Sequence, residues 1–96
     1  MTSALDHMTT VERMAHKLHR AHEQRAVRRH PFHTPRPWDD LSYPERREFT
    51  QVATHIYLTE GMPIGERIDA LCEHYDFNPA DNAARAYFRA RINEAS

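Results

Sequence analysis

Histidine is the residue type in this sequence that most suggests chemistry, since eight histidines occur in 96 residues. At about 100° per residue, Glu12, His16, His19 and Glu23 fall on one stripe of a helix. Imidazole and carboxylate groups bind zinc and related metals. One helix face rarely completes a tetrahedral shell, so His30 or His33 would have to contribute. The competing interpretation is a solvated face with weak i,i+4 pairs.

Basic residues form the second candidate surface. From Arg13 to Arg36 the chain carries seven basic residues and one acid, Glu23. Guanidinium groups suit phosphate backbones, and the nearby His30, Phe32 and Trp38 could stack on bases. The sequence pI of 6.7 is low for a dedicated nucleic-acid binder, so we expect a protein partner in preference to nucleic acid. The residues predicted to contact the partner are Arg25, Arg28, Arg29, Phe32 and Arg36.

The third candidate surface is a helix-turn-helix-like region over residues 68–92. The side chains that would read DNA bases from its second helix are Asn82, Arg85 and Arg89, because Asn and Arg pair with adenine and guanine edges. The preceding helix is acidic, which would repel phosphate. Asp76 also stands where such turns usually have glycine. An ordinary helical hairpin is the competing interpretation.

The motifs of common enzymes are missing from the sequence. It has no glycine-flanked serine, no glycine-rich phosphate loop and no His-Glu-x-x-His. The single cysteine, Cys72, excludes an internal disulfide and a multi-cysteine zinc site, and its apolar surroundings predict a small buried residue. We therefore expect a non-enzymatic protein without a cofactor.

The composition, with 40% hydrophobic and 28% charged residues, is that of one folded domain. Only two glycines occur, which argues against hairpins and phosphate loops. No apolar run approaches the roughly 20 residues of a membrane span, so we expect no membrane partner and a cytoplasmic location. Residues 60–81 carry six acids and one base. The molecule is therefore expected to be electrically bipolar.

The elements that must position these side chains begin after a polar tail over residues 1–8. Thr9 and Glu12 have capping-box spacing, and the apolar periodicity that follows predicts a helix ending near Arg29. Three prolines between His30 and Pro37 predict an extended connector over residues 30–37.

A second capping box, Ser42 with Glu45, predicts the start of helix two, and Gly61 predicts its end. Trp38 and Leu41, just before this box, are expected to fold back onto the core as an apolar plug. The predicted buried stripe of helix two is Phe49, Val52, Ala53 and Ile56.

Helix three is predicted from Ile64 to Tyr75, and helix four is predicted to begin with Asn78 as N-cap and Pro79 in its first turn. Helix four is expected to turn Ala80, Ala84, Tyr87, Phe88 and Ala95 to the core. Leu58 and Ile92 lie off the apolar stripes and are candidate contacts of a homodimer. The predicted fold is thus all-α, a small four-helix domain spanning residues 1–96.

One segment resembles known proteins: His30-Pro31, then Pro37-Trp38-Asp39-Asp40-Leu41-Ser42, followed by Arg46, Arg47 and Phe49. It is similar to a short module of small accessory proteins of actinobacterial phages, and to the helix-start module of ryanodine-receptor-type repeat domains. The resemblance covers about residues 30–53, and the tryptophan- and glycine-rich part of the repeat is absent. It implies a small host-interacting or genome-maintenance role, in the host cytoplasm if the chain is phage-encoded.

Three hypotheses follow from the sequence. The first is a non-enzymatic interaction protein that binds a host or phage macromolecule through the basic surface around the connector. The second is a DNA-binding regulator that uses residues 68–92. The third is a histidine-rich metal-binding protein that uses the stripe on the first helix.

Overall fold

A computed structural model describes residues 8–96, so the predicted tail lies, except for Met8, outside the described residues. The helices are α1 (Thr10–Arg29), α2 (Tyr43–Leu58), α3 (Ile64–His74) and α4 (Asn82–Ala95), with a 3-10 turn at Trp38–Asp40. No strand occurs between residues 8 and 96, and the predicted all-α, four-helix fold is confirmed. None of the described helices has the length and apolar character to cross a membrane.

The first helix has the predicted bounds. The hydroxyl of Thr9 accepts the backbone N–H of Glu12 at 3.1 Å and so satisfies a free donor of the first turn. The helix ends at Arg29, and residues 30–37 are non-helical, as three prolines require. A single turn, in which the N–H of His33 donates to the carbonyl of His30 at 2.8 Å, redirects the connector.

The start of α2 also follows the prediction. The Ser42 hydroxyl accepts the N–H of Glu45 at 3.3 Å, and the Glu45 carboxylate accepts the N–H of Ser42 at 3.2 Å. Leu41 is buried, and Trp38 is partly buried against the core. The apolar plug is confirmed, and the 3-10 turn through Trp38 is the geometry that directs both side chains inward.

The core lies where α1 packs on α2 and α4, and α3 packs on α4. Cys72 is fully buried, as predicted. Ile92 is also buried, so its predicted exposure was wrong; it follows Phe88 by one helical turn and therefore shares its face. Tyr87, predicted to face the core, is 53% exposed. The buried residues of the core are Met14, Ala15, Leu18, Ala53, Ile56, Ile68, Leu71, Cys72, Ala84, Phe88, Ile92 and Ala95.

The connection between α3 and α4 differs from the prediction. Helix α4 begins at Asn82 with Asp81 as N-cap, whose carboxylate accepts the N–H groups of Ala83 and Ala84 at 2.9 and 3.4 Å. Asn78 instead caps a separate turn by accepting the N–H of Ala80 at 3.0 Å. Since α3 ends at His74, residues 75–81 separate the two helices. This connection is longer than the three- to four-residue turn of a helix-turn-helix motif.

Candidate interaction groove

A concave surface lies between α1 and the connector. It is a groove of about 810 Å³, with one side of α1 as its first wall and the extended segment 35–38 as its second. Because prolines cannot form regular helix or inner-strand hydrogen bonds, the second wall stays extended beside the helix. The groove is lined by His16, His19, Arg20, Glu23, Gln24, Val27, Arg28, Pro35, Arg36, Pro37 and Trp38.

A buried carboxylate fixes the connector wall in place. Glu23 is 4% exposed, and its Oε2 accepts a hydrogen bond from His33 Nε2 at 2.6 Å and one from the backbone N–H of Arg36 at 3.4 Å. The Arg36 Nε lies 3.5 Å from Glu23 Oε1. A buried carboxylate is tolerated only when such partners satisfy it. Glu23 therefore ties α1 to two points of the connector.

The pKa of Glu23 reflects a balance between the burial of its carboxylate and the hydrogen bonds that this carboxylate accepts. Burial alone would raise the pKa, because it penalises the charged form, but the hydrogen bonds from His33 and the Arg36 backbone more than offset it. The pKa of the Glu23 carboxyl consequently lies below its ordinary value of 4.5. Glu23 is thus ionised at neutral pH and acts as a structural anchor.

His19 lies beside this anchor and is equally buried. Its Nε2 approaches Glu23 Oε1 to 3.4 Å, but the angle does not make a hydrogen bond, and this nitrogen has no hydrogen-bond partner among the described residues. The ring is held by edge contacts with Trp38 and Phe49, whose ring centroids lie 5.7 and 5.4 Å away. The Nε2 atom is shielded from solvent, so His19 contributes its packed ring to the groove wall.

The Trp38 ring closes the end of the groove. His16 stacks on it with 4.2 Å between ring centroids and 24° between ring planes. Burial, together with the neighbouring His19, lowers the pKa of His16 and favours its neutral form. The indole is therefore packed between α1 side chains and serves as a wall of the groove.

The charge of the groove comes from arginines. Arg20 and Arg28 line it, and neither forms an ion pair with any residue between 8 and 96. Arg36 is shared between Glu23 and Glu45, with 2.8 Å from its Nη2 to Glu45 Oε2. The Arg36 guanidinium, with the Ser42 cap, lowers the pKa of Glu45 to about 2. The two unpaired guanidinium groups give the groove a positive potential.

The five residues predicted to bind a partner do not form one surface. Arg28 and Arg36 line the groove, whereas Arg25 and Arg29 line a separate depression that α1 shares with α2 and α4. Arg25 forms an ion pair there with Glu94. Phe32 is fully exposed at the turn of the connector. The four predicted arginines therefore lie on two different sides of α1.

The predicted metal residues are also separated. Glu12 is exposed and lines a depression beside α2, while His16, His19 and Glu23 face the groove. Over the described residues, no group of three or more His, Cys, Asp or Glu side chains is arranged to hold a metal ion. The stripe instead supplies the contacts with Trp38 and with the connector.

The predicted DNA-reading residues lie on α4, and the structure separates their roles. Arg85 forms an ion pair with Asp69 and donates a hydrogen bond to the carbonyl of Pro79 at 3.0 Å. It therefore holds α4 against α3. Asn82 and Arg89 are exposed. Within residues 8–96, Arg89 forms no ion pair.

Sequence reasoning missed the role of Glu23 as the anchor of the connector. The signal was present, since Glu23 is the one acid in the basic stretch from Arg13 to Arg36. His33 was considered only as a further metal ligand, and the structure places it on Glu23 instead. The anchor depends on the path that the connector takes beside α1. The apolar periodicity of α1 carries no information about that path.

Comparison with known proteins gives no relative: no protein-family model, no curated protein and no solved structure matches this chain.

Proposed function

We propose that this protein is a small, non-enzymatic interaction module that binds an acidic segment of a partner protein in the groove between α1 and the connector. The observation that carries the proposal is the pair Arg20 and Arg28. Both line a partly apolar groove, and neither has a carboxylate partner among the described residues. The carboxylate in the groove, Glu23, is already used to hold the connector.

The spacing of the two arginines suggests the form of the segment. Eight residues of helix correspond to about 12 Å of axial rise between Arg20 and Arg28. In an extended chain, which rises about 3.3 Å per residue, side chains roughly four residues apart span that distance. The favoured segment therefore has two acidic residues separated by about three others. Apolar residues between them would lie against Val27, Pro35 and Pro37.

The anchored connector favours binding. Both walls of the groove exist before a partner arrives, because Glu23 holds His33 and Arg36 against α1. A preformed groove avoids the entropy that ordering a loop on binding would cost.

A protein segment is favoured over nucleic acid by the packing of Trp38. Single-stranded nucleic acids bind by stacking bases on exposed aromatic faces. His16 stacks on one face of the Trp38 ring, the His19 ring meets it edge-on, and the Phe49 ring lies tilted beside it with 6.3 Å between centroids. The resemblance of residues 30–53 implies a small host-interacting or genome-maintenance role, and a host-interacting role requires only such a binding surface.

The test is a peptide array that varies the number and spacing of acidic residues. The wild-type protein should retain acidic peptides, with the strongest signal at the four-residue spacing. Arg20→Glu with Arg28→Glu should remove this binding, because the groove then repels the segment. The matched control is Arg47→Glu with Arg89→Glu, which makes the same change in net charge at exposed arginines outside the groove.

The outcomes separate the hypotheses. Equal loss of binding in both double variants would show attraction to net charge alone and contradict a groove site. Duplex DNA should not shift in a gel at low salt. A salt-sensitive shift that Arg89→Glu removes and Arg20→Glu leaves would favour the DNA-binding alternative through Asn82 and Arg89.

A further inference from the structure

Phe32 is the most exposed of the large hydrophobic residues in the described part of the chain, with a relative exposure of 100%. It lies in the turn closed by the hydrogen bond from the His33 N–H to the His30 carbonyl. The neighbouring His33 is bonded to the buried Glu23, so the turn is fixed to α1. An apolar ring held in water by an anchored turn is a preorganised contact for another surface.

A complementary surface lies at the turn between α2 and α3. Four exposed apolar side chains surround this turn, and we call them the turn patch: Tyr57, Leu58, Met62 and Ile64. Leu58 is the most exposed of them, at 72%. The turn is braced from inside, because Arg67 Nε donates to the Thr59 hydroxyl at 3.0 Å. The turn patch is thus also a preformed surface.

The charges around the two surfaces have opposite signs. Arg28 and Arg29 end the helix that leads to Phe32, and Glu60 and Glu66 flank the turn patch. In the described part of the chain, none of these four side chains takes part in an ion pair. A contact between a basic rim around an aromatic ring and an acidic rim around an apolar patch is complementary in both charge and polarity.

We propose that the occupant of the turn patch is a second copy of this chain, whose Phe32 docks on Leu58, Met62 and Ile64. Arg29 of the copy that supplies Phe32 then faces Glu60 and Glu66 of the other. The contact joins two different surfaces, so each bound pair keeps one unused Phe32 and one unused turn patch. Such a heterologous contact leads to a closed ring or to a chain that grows with concentration. The proposal does not rest on peptide binding in the groove.

The test uses sedimentation velocity from about 10 µM to about 1 mM, the range in which a small apolar contact associates. The wild-type protein should form species of increasing mass. Phe32→Ala and Leu58→Asp should each raise the dissociation constant at least about 10-fold, because each removes one half of the contact. Both positions are exposed, and circular dichroism checks that both variants stay folded. Tyr43→Ala, at another exposed aromatic residue, should associate like the wild type.

Mixing the two defective variants gives the decisive result. Phe32→Ala keeps an intact turn patch and Leu58→Asp keeps an intact Phe32, so the equimolar mixture should form a dimer that grows no further. Raising the salt concentration should weaken this dimer, since the charged rims are screened. A wild-type protein that stays monomeric throughout, or a mixture that shows no dimer, would overturn the proposal. Failure of the peptide array leaves this result unaffected.

Discussion

The connector side of the molecule and the α3–α4 hairpin are held together by different interactions. On the connector side, the central group is the buried carboxylate of Glu23 with its bonds to His33 and Arg36. In the hairpin, the central group is the Phe88 ring, which stacks on Tyr75 at 5.7 Å and meets the edge of Phe77 at 5.4 Å.

This difference indicates which part sets stability and which part sets shape. Burial of aromatic rings is non-directional and is the larger source of folding free energy. A buried ion pair contributes little net stability, but breaking it by removing one partner is costly. We therefore expect the hairpin to determine how stable the protein is, and Glu23 to determine whether the groove keeps its geometry.

The largest effect is expected from Phe88→Ala. Truncating a fully buried phenylalanine removes its transfer free energy and leaves a cavity, which costs about 3–5 kcal/mol. Urea denaturation followed by circular dichroism measures the loss. Tyr43→Ala, at a 70% exposed position, should change the free energy of unfolding by less than about 0.5 kcal/mol. Equal effects of the two changes would contradict the burial of Phe88 in the core.

Glu23→Gln should reduce the free energy of unfolding less than Phe88→Ala does. It should disturb the local order of the connector more. The amide keeps the shape but loses the charge that His33 and Arg36 bind, at a cost of about 1–3 kcal/mol. Hydrogen exchange should show faster exchange at the backbone amides of His33 and Arg36, while the amides of α4 keep their protection. The matched control is Glu12→Gln, at an exposed position of the same helix. Faster exchange spread evenly over the chain would show that Glu23 supports the whole fold.

The two regions should also respond to opposite extremes of pH. The folded pKa values of Glu23 and Glu45 lie below 4.5, so their stabilising contributions are present above that pH and are lost as pH falls, for Glu45 towards about 2. The folded pKa of His16 lies below 6.5, so protonation of the unfolded chain already reduces stability as pH falls below 6.5. Burial raises the pKa of Tyr75 above 10, so its contribution is present below pH 10 and lost as pH rises past that value.

The difference in pH response between the two regions can be measured, because the single tryptophan, Trp38, lies on the connector side. On acidification, Trp38 fluorescence should change at a higher pH than helical circular dichroism. On alkalinisation, the helical signal should change no later than the fluorescence. If fluorescence and circular dichroism change together at both acidic and alkaline pH, the protein unfolds as one cooperative unit. The two regions would then not respond separately to pH.

Local sequence signals predicted the elements well. The Ser42–Glu45 capping box and the plug residue Leu41 depend on neighbours within a few positions, and the structure confirms them. Residues 30–37, which include three prolines, are non-helical. The start of α4 was mispredicted because Asn78 and Asp81 are both good N-cap residues. Neighbours in sequence do not distinguish them, and α4, which begins after Asp81, is linked to α3 by the ion pair of Arg85 with Asp69.

The candidate groove could be predicted only in part. Arg28 and Arg36 were recognised from the basic stretch, but Arg25 was grouped with them although it pairs with Glu94 on another side of α1. That separation depends on the position of α4, which is distant in sequence. Periodicity gives the face of a helix, whereas the neighbour of that face is set by tertiary packing.

The smallest expected effects come from two turns with left-handed backbone, one on each side of α3. Asp76 has φ of 60°, and the hydrogen bonds from Phe77 N–H to the Cys72 carbonyl and from Asp76 N–H to the Glu73 carbonyl close the end of α3 there. Glycine at this position would remove the steric cost of Cβ, while adding entropy to the unfolded chain. Because aspartate tolerates this conformation better than most residues, Asp76→Gly should stabilise by only about 0.5 kcal/mol.

Gly61→Ala is the matched reverse change before α3. Gly61 has φ of 89° and no atom within 4 Å of an added Cβ, so any cost comes from the backbone and not from a clash. Thermal unfolding should show a loss of about 1 kcal/mol, opposite in sign to Asp76→Gly. If both substitutions destabilise, the Asp76 side chain contributes more to the hairpin than the strain of its backbone removes. The hairpin would then depend on a polar contact of Asp76 in addition to the link from Arg85 to Asp69.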